Sequence, residues 1–294
     1  MFLRPITLKS FGISLFIFAL ATVAATQQQD PAPAQDENGR AIVADEFLKK
    51  RPGNPRIRKR PPATYHVVTS APKRSDQPKL QVGVTIWKLE PAGSPNAERS
   101  GFGSHWNRDD WTSRRVEADV KFRKGDTLRI SIESPRDGYL YVVNRDWLAD
   151  GTYGETNLIF PTQGEDNRLQ AGKLIDIPAQ DEPPFKASPN ANQSSELLTI
   201  IVTKSPLKLR LGPKAIPVSQ TQLREWEERW GGEATRLEMN GGAGQTRTTE
   251  EQLAASRTRI RQLTRDDPMP QTIYSVVPKN TDGLLFNLVL HYVQ

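Results

Sequence analysis

Beyond residue 80 the chain alternates. Leu80, Val82, Val84 and Ile86 are interleaved with Gln81, Gly83, Thr85 and Trp87. Val116, Ala118, Val120 and Phe122 alternate with Glu117, Asp119 and Lys121, and Leu128, Ile130 and Ile132 with Arg129, Ser131 and Glu133. Successive side chains of an extended chain point to opposite faces, so each run predicts a strand with one face on a core and one toward water. Lys124-Gly125-Asp126, between the second and third runs, predicts an antiparallel hairpin.

Three further stretches are apolar on both sides, as central strands are: Gly138–Arg145, Leu197–Thr203 and Leu284–Val293. Shorter strands fit Asn157–Phe160, Lys173–Ile177 and Thr272–Val277. Nine short strands with turns between them, and no helix alternating with them, predict a mainly β fold. The expected architecture is a β-sandwich, Ig-like or jelly-roll-like. Its expected extent is 79–211 plus 271–294. Between these lies 212–270, read as a two-helix insertion. Leu223, Trp226 and Trp230 fall on one helical face, and Thr248 with Glu251 makes a capping box for a second helix over 250–264, with Leu253, Ile260 and Leu263 as its stripe. The Gly-rich connection 231–247 is expected to be mobile.

The N-terminus sets the expected compartment. Arg4 and Lys9 precede an apolar run, Phe11 to Val23, and Val23 and Ala25 suit a signal-peptidase site at Ala25/Thr26. Residues 1–25 therefore read as a signal peptide, and the protein as periplasmic or extracellular with no transmembrane segment after processing. Residues 26–78 hold eight of the 23 prolines and only two aromatics, Phe47 and Tyr65, and read as a disordered, Pro-rich basic linker. Within it, residues 49–60 carry seven basic side chains and no acid. Behind a signal peptide such a run suits anionic envelope polymers or lipid headgroups, or is a solvated linker, rather than a nucleic-acid site.

Catalytic signatures are absent from the sequence. There is no cysteine, so thiolate chemistry is excluded. No HExxH, GxSxG or P-loop pattern occurs, and the three histidines, His66, His105 and His291, are widely separated. No cofactor is expected. Three groups of residues remain as candidates. Trp106 and Trp111, beside Asn107, Asp109 and Asp110, could stack on sugar rings, or fold back to cap the sandwich. The segment 144–157, with Asp146, Trp147 and Asp150, reads as a loop free to carry function. Asn144, Asp146 and Asp150-Gly151 could offer oxygen ligands to calcium, but lack the EF-hand spacing. Asp146 and Asp150 would also serve a carboxylate-dependent hydrolase.

Several pieces in order carry a resemblance: Gly125-Asp126 before a strand, Arg136-Asp137-Gly138-Tyr139-Leu140-Tyr141, Leu158-Ile159-Phe160-Pro161, the Asn167-to-Gly172 turn, and Ile177-Pro178. Over about residues 116–204 the chain resembles the bacterial domain-of-unknown-function family numbered 4384. The resemblance implies a β-rich module, seen alone in exported bacterial proteins or attached to kinase and caspase-like domains, and brings no catalytic residues with it. Physical reading of the same pieces makes them structural. Gly125, Gly138 and Gly172 precede strands where a turn needs positive φ, Pro161 and Pro178 end strands, and Leu140, Val142, Leu158 and Phe160 are core candidates. The resulting expectation is a non-catalytic envelope binding module whose partner is a protein or a cell-envelope polymer. Glycan or peptidoglycan binding, and a carboxylate hydrolase, stand as alternatives.

Overall fold

The computed structural model describes residues 37–53, 79–92, 106–258 and 261–293. The proposed signal peptide, most of the linker, and His66 and His105 lie outside them. The elements in order are α1 (Glu37–Leu48), β1 (Leu80–Pro91), β2 (Trp111–Val116), β3 (Lys121–Phe122), β4 (Thr127–Glu133), β5 (Gly138–Leu148), β6 (Tyr153–Phe160), β7 (Arg168–Leu169), β8 (Leu174–Ile177), β9 (Phe185–Lys186), β10 (Gln193–Thr203), β11 (Ile216–Pro217), α2 (Gln220–Trp230), β12 (Gly232–Glu238), α3 (Thr249–Ala254), β13 (Thr272–Pro278) and β14 (Gly283–Tyr292).

These strands form two sheets. Sheet A runs β12-β13-β1-β4-β8, with β2 on β1 and β9 on β4. Sheet B runs β11-β6-β5-β10-β14-β3, with β7 on β5. The alternation explains their packing. Val82, Val84, Ile86, Leu128, Ile130 and Ile132 from sheet A meet Leu140, Val142, Leu198, Ile200, Phe286 and Leu288 from sheet B in one core. Burying each such side chain contributes about 1.5–3 kcal/mol. The fold is therefore a β-sandwich.

Sheet B is apolar on its second face too, as its central strands predict. Tyr141, Val143, Leu158, Ile201 and Leu285 pack under Leu223, Trp226 and Trp230 of α2. Ser219 starts that helix, accepting from the Gln222 N–H at 3.1 Å. Among the described residues no helix is long and apolar enough to cross a membrane.

Several expectations need correction. The alternation at 116–122 is not one strand. β2 ends at Val116, the Val120 N–H turns back to the Glu117 carbonyl, and β3 pairs with β14 in the opposite sheet. Lys124-Gly125-Asp126 therefore carries the chain from sheet B to sheet A instead of closing a hairpin. Gly125 and Gly172 do take positive φ, +96° and +79°. Gly138 does not, and is needed because a Cβ there would lie 2.9 Å from the Thr203 carbonyl oxygen. Pro161 and Pro178 follow the last residues of β6 and β8, and both are preceded by cis peptide bonds.

The insertion is woven into the sandwich. Its Gly-rich connection forms β12, an edge strand on β13, and residues 244–247 bond to β2. Alternation in 234-ATRLE-238 was hidden by the glycines around it. The second helix is shorter than expected. α3 keeps the Thr248/Glu251 capping box but ends at Ala254, and Leu263 is buried from extended chain whose N–H bonds to the Gly172 carbonyl at 2.7 Å.

Two differences share one cause. Within the expected linker, α1 forms and its Phe47 is fully buried with Ala44 against Leu237, Met239 and Ile273. Gly83 makes room, since a Cβ there would come within 2.9 Å of the Phe47 ring. Arg129, Ser131 and Glu133, read as facing water, are 1%, 2% and 1% exposed. The outer face of sheet A lies under α1, α3 and the chain around 261–271, which bring partners to its charges. Arg51 pairs with Glu133, Arg247 with Asp176 and Arg115 with Glu251. Local patterning cannot show partners that lie 71 to 136 residues apart in sequence.

Candidate functional site

The sequence candidates divide among three places. Trp106 and Trp111 pack on each other, ring centroids 5.7 Å apart and tilted by 33°. The Trp106 indole donates to the Gln180 carbonyl at 3.1 Å, and Arg129 lies over its ring at 5.6 Å. Both rings are half-buried and close one end of the outer face of sheet A. Arg129 itself is enclosed, donates to the Glu182 carbonyl at 2.6 Å, and has no carboxylate in ion-pair contact among the described residues. Burial pushes its guanidinium down to about 10.

The expected functional loop is mostly strand. β5 continues through Asp146 and Trp147 to Leu148, leaving only residues 149–152 as a turn. There the Asp150 carboxylate accepts from the Thr152 N–H and hydroxyl at 2.9 and 2.6 Å, and these bonds hold it below the usual carboxylate range. Asp150 is thus the closure of its own turn. Asp146 accepts from Gln193 at 2.9 Å and faces Glu196 across the strand pair. Burial first, and Glu155 second, raise Asp146; burial and then Asp146 raise Glu196, partly offset by the Tyr292 hydroxyl that donates to it.

The raised Glu196 gives a pH prediction. The fold favours its protonated form, so that stabilisation is complete below the ordinary carboxylate value and is lost as pH rises through the raised one. Glu196→Gln keeps an acceptor for Tyr292 and cannot ionise. Its melting temperature should gain on the wild type as pH rises above the ordinary carboxylate value of about 4. A gap independent of pH in paired thermal melts would contradict this.

Trp147 meets Tyr153 edge-on at 4.7 Å, and Tyr153 lies over Arg145 at 4.5 Å. Arg145 donates to Glu227 of α2 at 3.0 Å and contacts the Thr199 hydroxyl at 3.4 Å, which donates to Asn287 at 2.8 Å. This polar chain runs from the tip of the β5–β6 hairpin to a cleft that sequence reasoning missed.

The cleft holds about 1070 Å³. It is lined by consecutive residues of three strands and their ends: 231–234, 277–279 and 285–287. Leu285 and Phe286 bury their side chains in the cores on opposite faces of sheet B, so what these two offer the cleft is largely main chain. Gly231 and Leu285 form a single parallel bridge, after which β12 continues in sheet A and β14 in sheet B. The two edges part and the cleft opens between them. β12 is exposed on both faces over 233–236. Among the described residues, the side of β14 away from β10 is paired only at His291 and Tyr292, by β3, besides that bridge.

The cleft walls are fixed. Arg229 and the Trp230 indole donate to Asp282 at 2.5 and 3.1 Å, and Asn280 donates to the Arg229 carbonyl at 2.7 Å, clamping the β13–β14 turn to α2. The Arg229 bond holds Asp282 below the usual carboxylate range. Tyr274 stacks on Phe286 at 4.5 Å beneath the opening. A Cβ on Gly231 or Gly232 would strike the Glu227 or Val277 carbonyl, so the backbone there stays bare. No single local motif announces this site, because its lining comes from a helix end, an edge strand and a hairpin. Among the described residues no group of three acidic or histidine side chains could hold a metal ion.

No curated protein and no solved structure matches the chain. The sequence profile of one family, described as Domain of unknown function (DUF4384), does match over residues 121–206, which is the run from β3 through β10.

Proposed function

We propose that the protein is an exported, non-catalytic binding module of the cell envelope that recognises a protein partner through the cleft between β12 and β14. The observation that carries this reading is the meeting of two strand edges, those of β12 and β14, at one cleft. Small-molecule pockets are mostly side-chain surfaces of roughly 300–1,000 Å³. At about 1070 Å³ this cleft is slightly larger, and two strand edges border it. Its lining, drawn from 227–287, lies wholly outside the residues matched by the family. The amino-terminal pattern of Arg4, Lys9, the apolar run and Ala25 supports export.

Site-specific photocrosslinking in cells tests the assignment. A benzophenone side chain at Thr281 or Asn287 should give a discrete adduct with one envelope protein, while the same group at Lys208 or Arg168, away from the cleft, should not. Equal adducts from all four positions, or none from the cleft pair, would remove this reading.

A further inference from the structure

We infer that the partner enters the cleft as an extended segment that adds a strand to one of its two open edges, an inference that rests on the cleft being the partner site. In an edge strand, every second residue turns both its N–H and its C=O away from the sheet. β12 is the edge of sheet A and is exposed over 233–236, and 285–287 of β14 face the same opening. A row of alternating donors and acceptors is matched along its length by another extended backbone, whereas a folded surface or a compact small molecule satisfies one or two members of it. The clamped turn at 279–282 and the glycines at 231 and 232 keep both edges in place before anything binds. On the rim Glu227 is paired with Arg145, and Glu233 and Lys279 stand on the two sides of the opening.

The probe is a phage-displayed library of random dodecapeptides selected against the full chain. Enriched peptides are then synthesised with single N-methyl groups moved along the backbone. Strand addition predicts that N-methylation at alternate positions weakens binding about tenfold or more, and at intervening positions changes it little. It also predicts that a bulky ring at the edge, Ala234→Trp, abolishes binding, and that bound peptide slows amide exchange in β12 or in β14. If peptides bind, are lost with Ala234→Trp, and tolerate N-methylation everywhere, recognition is by side chains. The strand inference then falls while the cleft stands. If no peptide is enriched, strand addition falls and the cell crosslinks judge the cleft separately. If the chain dimerises and Ala234→Trp makes it monomeric, the occupant is a second copy and the inference is overturned.

Discussion

Arg51→Ala is expected to destabilise the chain by about 3–5 kcal/mol, the range for stripping one partner from a buried ion pair. Arg51 and Glu133 side chains are each 1% exposed. The guanidinium meets both carboxylate oxygens at 2.7 Å, and its remaining N–H groups donate to the Thr264, Asp267 and Pro268 carbonyls at 3.0–3.1 Å. Truncation leaves Glu133 charged, enclosed and unpaired, and three carbonyls without donors. The pair as a whole need not be strongly stabilising, because taking two charges out of water offsets most of their attraction. Arg51→Met combined with Glu133→Leu should therefore recover most of the loss. Urea midpoints of the two single variants and the double variant measure this. A single-variant loss below about 1 kcal/mol would mean that the arm 37–53 is not held as described.

Trp87→Ala is the second large effect, again about 3–5 kcal/mol. Trp87 is fully buried on the outer face of sheet A, between its cross-strand neighbours Arg115 and Arg129. Arg115 and Arg247 lie over its ring, each 5.2 Å from the centroid. Its indole donates to Ser131 at 2.7 Å, Ser131 donates to Asp176 at 2.5 Å, and Arg247 grips both oxygens of Asp176 at 2.7 and 3.0 Å. The ring thus offers its π face to two guanidinium groups, worth about 0.5–2 kcal/mol each where water is excluded. Trp87→Phe keeps a ring but loses the donor to Ser131, and should cost clearly less than the alanine change. Equal losses for Phe and Ala, by denaturant titration, would show that the ring face contributes nothing.

These two residues also mark where the sequence was readable. Alternation placed Val84, Ile130 and Leu140 in the core, and the helical spacing of Leu223, Trp226 and Trp230 placed α2 on a partner face. Both follow from periodicity, which is local. Arg129 and Glu133 occupy the polar phase of the same alternation, and the natural inference is water. Their burial depends on chain distant in sequence, Arg51 before them and Glu182 after, and only its arrival turns a charged face into an interior. The site was less legible still. Of the five residues singled out, Trp147 is linked to the cleft, through Tyr153 and Arg145, while Asp150 closes a turn and Trp106 and Trp111 close a sheet end. A strand edge presents main chain and leaves almost no side-chain signature, which is why 231–234 carry no motif.

The docking of α1 changes what residues 54–78 can do. Gly53 follows Arg51, which is locked to β4, and Lys79 precedes β1 in the same sheet, so this stretch is tied down at both ends. A protease cutting anywhere within it would release nothing: the short helix would stay bound by Phe47 and the guanidinium, and the nicked molecule would migrate as one particle until denatured. An anchor upstream of residue 37 would then remain joined to the sandwich through packing alone.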